Sequence, residues 1–146
     1  MAAEFKWAAF GESLTAYLST GLNSLANGAF SALGADIANQ SDLYEWMELE
    51  LVLGTQGSAR SAGAAVDIYG SFAADDTNYG SDSVQGLVSN FVARFDLDAA
   101  TTARTLTVIT RIYPVKFKLQ ALNVTGQAFP PTGNTLRYRR FNAQSV

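Results

Sequence analysis

Neither cysteine nor histidine occurs anywhere in the 146-residue chain. Without cysteine there is no disulfide, no thiolate metal site and no cysteine nucleophile. Without histidine the usual general base, the Ser-His-Asp triad and the commonest zinc ligand are gone. Catalysis would rest on Asp, Glu, Lys, Tyr or Ser alone, so the composition points away from an enzyme. Charge is scarce as well. Charged residues are 16% of the chain, against roughly 25% in an average domain. A small protein ordinarily coats itself in charge, so the deficit implies that partners cover part of the surface. A net charge of −3 disfavours non-specific contact with nucleic acid, which rests on clustered Lys and Arg. No apolar stretch approaches the roughly 18 residues of a membrane helix. The opening MAAEFKWAAFGE has no basic region before an apolar block, so a signal peptide is not expected and a soluble protein made in a cytoplasm is.

What the chain does have is apolar content, 48% of residues, enough for one domain with a substantial core. Residues 1–12 read as an arm carrying Phe5, Trp7 and Phe10, and residues 13–146 as a single domain. Within it, Tyr44 to Leu53 alternates cleanly: Met47, Leu49, Leu51 and Leu53 point one way, and Trp46, Glu48, Glu50 and Val52 the other. Val66, Ile68, Gly70 and Phe72 alternate with Asp67, Tyr69 and Ser71. Phe91, Ala93, Phe95 and Leu97 form one face of a further strand. RTLTVITRIY is rich in β-branched residues. Beyond Pro114, Val115, Phe117, Leu119 and Ala121 share a face, and TLRYRRF is the last strand. Residues 13–40 have Leu14, Tyr17, Leu18, Leu22 and Leu25 at helical spacing, but Gly21, Gly28 and Gly34 oppose a helix; an extended, bulged strand is the expectation. NQSD, Asn39 to Asp42, marks a turn. Short strands separated by turn signals, with no βαβ repeat, predict an all-β antiparallel sandwich or barrel.

Phe117 to Asn142 reads as a hairpin with a long loop. Pro130 and Pro131, beside Phe129, stiffen that loop, while Gly126 and Gly133 let it bend. A stiff loop loses less entropy on docking, so these residues fit a contact loop as well as a structural one. The arm is open in the same way. Its three aromatics either fold back on the core or anchor on another protein. Burying them and ordering about ten residues nearly cancel in free energy, so a single arm binds weakly and several arms on one oligomer bind tightly.

Other clusters have simpler explanations. Glu48 and Glu50 lie two apart on one strand face, roughly 7 Å, which would suit glycosidase carboxylates, but alternation alone generates such pairs. Asp75, Asp76 and Asp82 crowd a loop with Asn78, yet lack the spacing of a calcium loop; no metal, catalytic residue or cofactor is assigned. Arg137, Arg139 and Arg140 flank Tyr138 in a pattern that stacks on single-stranded nucleic acid; on an acidic chain, outward pairing of Arg137 and Arg139 with acidic groups such as Glu48 or Glu50, of the same chain or of a neighbour, is preferred. Asn123 to Thr125 matches a glycosylation sequon.

The segment KFKLQALNVTGQAFPPTGNTLRYRRFN resembles the C-terminal part of small proteins encoded beside the capsid genes of tailed bacteriophages. The shared features are a Lys-Phe-Lys strand, an Asn before Thr-Gly-Gln-Ala-Phe, and Gly-Asn-Thr-Leu opening the last strand. LNSLANGAFSALGADIANQSDLYEWMELELVL and VDIYGSFAADDTNY are similar to that family too, so the likeness runs from about Trp7 to the C-terminus. It departs at Pro130 and Pro131, where the family has small residues, and at Tyr-Pro-Val, where a Pro-Gly turn is expected. The resemblance implies a capsid decoration, or cement, protein: a jelly-roll-like sandwich that forms homotrimers on the outside of the virion. It would bind the major capsid protein where capsomers meet, and neither nucleic acid nor membrane. Phe5, Trp7, Phe10, Phe129, Pro130 and Pro131 are then the expected partner-binding residues. A carbohydrate- or receptor-binding module of a tail fibre is the alternative.

Overall fold

The computed structural model describes residues 5–79 and 90–145. Among them are ten strands: β1 (Phe5–Trp7), β2 (Thr15–Leu18), β3 (Ile37–Ala38), β4 (Trp46–Leu53), β5 (Ala65–Ala73), β6 (Phe91–Asp96), β7 (Arg104–Arg111), β8 (Lys116–Val124), β9 (Thr135–Phe141) and β10 (Ala143–Ser145). One helical turn, α1 (Asn39–Asp42), precedes β4. Two antiparallel sheets face each other, one ordered β2-β9-β4-β7 and the other β3-β8-β5-β6. The chain changes sheet at every step from β2 to β9 except β5 to β6, which is the winding of a jelly roll. A separate two-stranded ribbon pairs β1 with β10.

Alternation places the core as expected. Met47, Leu49, Leu51 and Leu53 of β4 are fully buried. They pack with Val66 and Ile68 of β5, Phe117, Leu119 and Ala121 of β8, and Ala93 and Phe95 of β6. The other face of β5 is buried too. Asp67 receives both Nε and Nη2 of Arg94 at 2.6 and 2.8 Å, Tyr69 packs edge-on against Phe30, and Ser71 donates to the Tyr79 carbonyl. At β6 one expected core residue changes sides. The register skips between Ile68↔Ala93 and Tyr69↔Phe91, and this bulge turns Phe91 out of the core and onto Tyr69.

The Phe117–Asn142 segment is not a hairpin. β8 lies in one sheet and β9 in the other, so residues 125–134 cross between sheets. Strand periodicity identifies both strands but carries no information about which sheet each joins. Two buried asparagines pin the crossing. Asn123 donates to the carbonyls of Leu25 and Gln127 and accepts from the Thr125 backbone and hydroxyl. Asn134 donates to the Pro130 carbonyl and Asn23 Oδ1 and accepts from the Gly54 N–H. The sequon asparagine is therefore fully buried and fully engaged. Gly126 takes φ +81°, and a Cβ there would fall 1.8 Å from Ser61 Oγ.

Residues 13–40 do not form the helix that their leucine spacing suggests: they hold β2, a single 3-10 turn at Thr20–Leu22 and β3, and α1 begins at Asn39. β2 has a register shift between Ala16 and Leu18. Residues 28–38 then follow the edge of β8, with Ser31 and Gly34 donating to Ala121 and Leu119 and Ile37 paired with Phe117. Where this edge bulges, Tyr17 fills in: its hydroxyl donates to the Ala35 carbonyl at 2.7 Å and accepts from the Leu119 N–H at 2.8 Å. Burial of the ring raises its pKa. Gly34 makes room, since a Cβ there would sit 2.3 Å from the Tyr17 ring.

At the end where β4 and β8 finish, Arg60 ties the loops together. Its buried guanidinium donates to the Asp98 carboxylate and carbonyl, the Thr102 carbonyl and Gln56 Oε1, and Asp98 also pairs with Arg104. The hydrogen bonds from Arg104 and then Arg60 hold the Asp98 pKa down to about 2.

Two outcomes follow. Tyr17→Phe strands the Leu119 N–H and should lower the unfolding free energy by about 1–3 kcal/mol in urea denaturation. The Asp98 carboxyl should titrate near pH 2 by NMR. Because its folded pKa lies below the unfolded value, its stabilising contribution is complete above the ordinary carboxylate range and is lost as pH falls towards 2; Asp98→Asn should flatten that part of the acid-unfolding curve.

Candidate partner-binding surface

Seven large apolar side chains are exposed among the described residues: Trp7, Phe10, Leu43, Phe91, Ile109, Tyr113 and Val124. All but Val124 lie around the end of the sandwich where β4 and β6 begin and β7 and β9 finish. Scattered exposed apolar residues are ordinary, but a cluster marks an interaction site. This one has two parts, a face and a corner.

The face is the outer side of the β2-β9-β4-β7 sheet near that end. β1 is held by its three pairs with β10 and by Ala8 N–H donating to Asn142. Trp7 meets Trp46 and Phe141 edge-on at 5.4 and 5.5 Å, and Phe10 meets Phe141 at 5.0 Å. The Arg139 guanidinium lies 3.3 Å over the Phe10 ring, a cation–π contact, while it also pairs with Glu48. Even so, Trp7 remains 63% and Phe10 45% exposed, next to a 53% exposed Ile109. Together with Ala8 and Phe141 they line an apolar hollow of about 330 Å³. The arm thus folds back onto the sheet, with both rings left partly exposed. Phe5 takes part through its backbone pair with Ser145.

The corner is a cleft of about 440 Å³ between Leu43, 58% exposed, and Tyr113, 66% exposed, with Glu45 and Arg111 also lining it. One buried side chain sets its shape. The Asn39 amide donates to the carbonyls of Tyr44 and Tyr113, both at 2.8 Å, and its Oδ1 accepts from the Tyr44 N–H at 3.1 Å. The turn this forces puts Leu43 in the left-handed region, φ +54°, unusual for a bulky residue. Arg140 supports the same knot from β9. It bonds Asn39 Oδ1 and the Ala38 carbonyl, pairs with Asp42 at 2.8 Å and with Glu12, and lies over the Tyr44 ring.

The remaining expected sites distribute as follows. Phe129 and Pro130 are buried, Phe129 within the core, so of that loop trio only Pro131 offers a surface. Glu48 and Glu50 sit on the sheet face opposite Arg139 and Arg137 in register and pair with them. Each carboxylate is thereby tied to a guanidinium within its own chain. The preferred reading of Arg137 and Arg139 holds, whereas Arg140, one position on, points inward and is buried. Asp75 spends its carboxylate on the N–H groups of Thr77 and Asn78 and on the Asn78 amide; those bonds, the Asn78 N–H first, lower its pKa to about 2. Asp82 lies outside the described residues. No group of acidic side chains arranged to hold a metal occurs among the described residues, nor does a helix long and apolar enough to cross a membrane.

Leu43, Ile109, Arg111 and Tyr113 escape a reading of the sequence. Only Tyr113, ahead of Pro114, sits at a recognisable break. Compared with known proteins, the chain matches no family model and no curated protein.

Proposed function

We propose that the chain is a structural protein of a tailed-bacteriophage head, bound as a trimer to the outer capsid surface, where it clamps neighbouring capsomers. The observation that carries this reading is the gathering of six of the seven exposed large apolar side chains at one end of the sandwich. The shortage of charge, 16% of residues, fits a chain whose surface is completed by partners. The lack of histidine and cysteine fits a role without catalysis, and the resemblance of residues 117–142 to phage decoration proteins supplies the partner.

In this reading the face built by Trp7, Phe10 and Ile109 rests on the capsid. Large aromatics with an arginine beside them are the usual centres of protein contacts. A protein that binds only the assembled shell stabilises that shell by mass action. Three such faces on one trimer multiply a weak individual contact.

A gel of purified virions gives the first test. The chain should appear in stoichiometry with the capsid protein; absence from particles sinks the proposal, and the few copies of a fibre favour a tail-fibre module instead. The second test removes the face. Deleting residues 1–10, or introducing W7S and F10S together, should keep the circular dichroism of the sandwich and lower stability by only about 1–3 kcal/mol, since both rings are half exposed. Binding to expanded heads should be lost. Full occupancy by either variant would take the capsid-binding role away from this face.

A further inference from the structure

Six of the seven arginines have a carboxylate partner within the chain: Arg60 and Arg104 with Asp98, Arg94 with Asp67, Arg137 with Glu50, Arg139 with Glu48, and Arg140 with Glu12 and Asp42. Arg111 has none among the described residues; it lies over the Trp46 ring at 5.4 Å. Glu45, on the same cleft, is likewise without a cationic partner, and no ion pair joins the two. The corner therefore combines an unmatched cation, an unmatched anion and two strongly exposed apolar side chains, Leu43 and Tyr113.

We infer that this corner is the contact between copies of the chain, with Arg111 of one copy meeting Glu45 of the next. A partner offering a single sign of charge would match one of these groups and leave the other desolvated and unpaired. Copies of the chain match both: around a closed ring Arg111 of one copy meets Glu45 of the next, and its own Glu45 meets Arg111 of the copy before. The apolar walls supply the attraction, and the charges set the register and reject wrong docking. The corner is also prepared for contact. Both walls are fixed by the one Asn39 amide, so docking orders little that is not already ordered. The left-handed Leu43 is backbone strain of the kind that collects at contact sites. The contact adjoins the Trp7–Phe10 face, since Arg111 lies over Trp46 and Trp46 meets Trp7 edge-on, so each copy presents the two surfaces side by side. The inference rests on the proposed function only for the three-fold order of the assembly.

A charge exchange tests it by sedimentation equilibrium of the purified chain. The wild type should associate. Arg111→Glu and Glu45→Arg should each weaken association by about a hundredfold, since each places like charges against one another. The double variant E45R/R111E should recover most of it. Both positions are exposed, and circular dichroism checks the fold of each variant; if R111E does not fold, R111A must weaken association by about tenfold in its place. A wild-type monomer, singles that associate normally, or a double variant no better than the singles each overturn the inference. Head binding is measured in parallel. A chain that associates and rescues as described but never binds heads overturns the capsid reading and leaves this contact standing; monomers that bind heads do the reverse.

Discussion

Arg140 enters the sandwich from the inward side of β9, and a guanidinium so deeply placed must be answered by anions and carbonyls. The answers come from three separate stretches. Glu12, which also accepts the Arg140 backbone N–H at 3.0 Å, fastens the base of the arm and so determines where Trp7 and Phe10 come to rest. Asp42 and the Ala38 carbonyl fasten the helical turn before β4. Asn39, bonded to the same guanidinium, carries the restraint across to Tyr113. Both exposed surfaces are arranged around one buried cation, and a change at Arg140 would reach the face and the corner together.

The two ends of the sandwich solve opposite problems. Where β4 and β8 finish, polar side chains are used up internally: Arg60, Gln56, Asn123 and Asn134 are buried and bonded chiefly to backbone. That end is closed by hydrogen bonds that satisfy loop groups which would otherwise be costly to bury. Where β4 and β6 begin, the polar groups lie underneath and the apolar ones outside. Such an inversion exposes rings to water in the free chain and is relieved when something covers them.

Local periodicity was enough to read much of this fold. The alternation of β4 placed every one of its side chains on the correct face, and pairing of Arg137 and Arg139 with Glu48 or Glu50 was visible in the charge pattern, though not which pairs with which or that both partners lie in the same chain. The glycines of residues 13–40 correctly outweighed the helical spacing of the leucines: Gly28 takes φ +76° and Gly34 leaves room for the Tyr17 ring. What stayed hidden was long-range. β8 and β9 look like neighbours in sequence, but the sheet each joins is decided by packing over the whole domain. Leu43 and Tyr113 become one cleft only through Asn39, whose bond to Tyr113 spans 74 positions. The arm was half legible: its aromatics stood out in the sequence, but the surface it lies on is built from β4 and β9.

The β1–β10 ribbon gives the molecule a further property. Its three register pairs fasten residues 5–7 to residues 143–145, so the loop it closes contains the entire sandwich. The pairing of β2 with β9 already brings the two ends of the chain together, so the ribbon pairs on a sandwich that is formed without it, and a two-stranded ribbon has little stability of its own. The ribbon is therefore a latch that fastens last during folding and lifts first under thermal agitation, without disturbing the eight strands behind it. The aromatic face that Trp7 helps to build is then a population rather than a fixture, present in proportion to how often the latch is down, and whatever rests upon it also holds it shut.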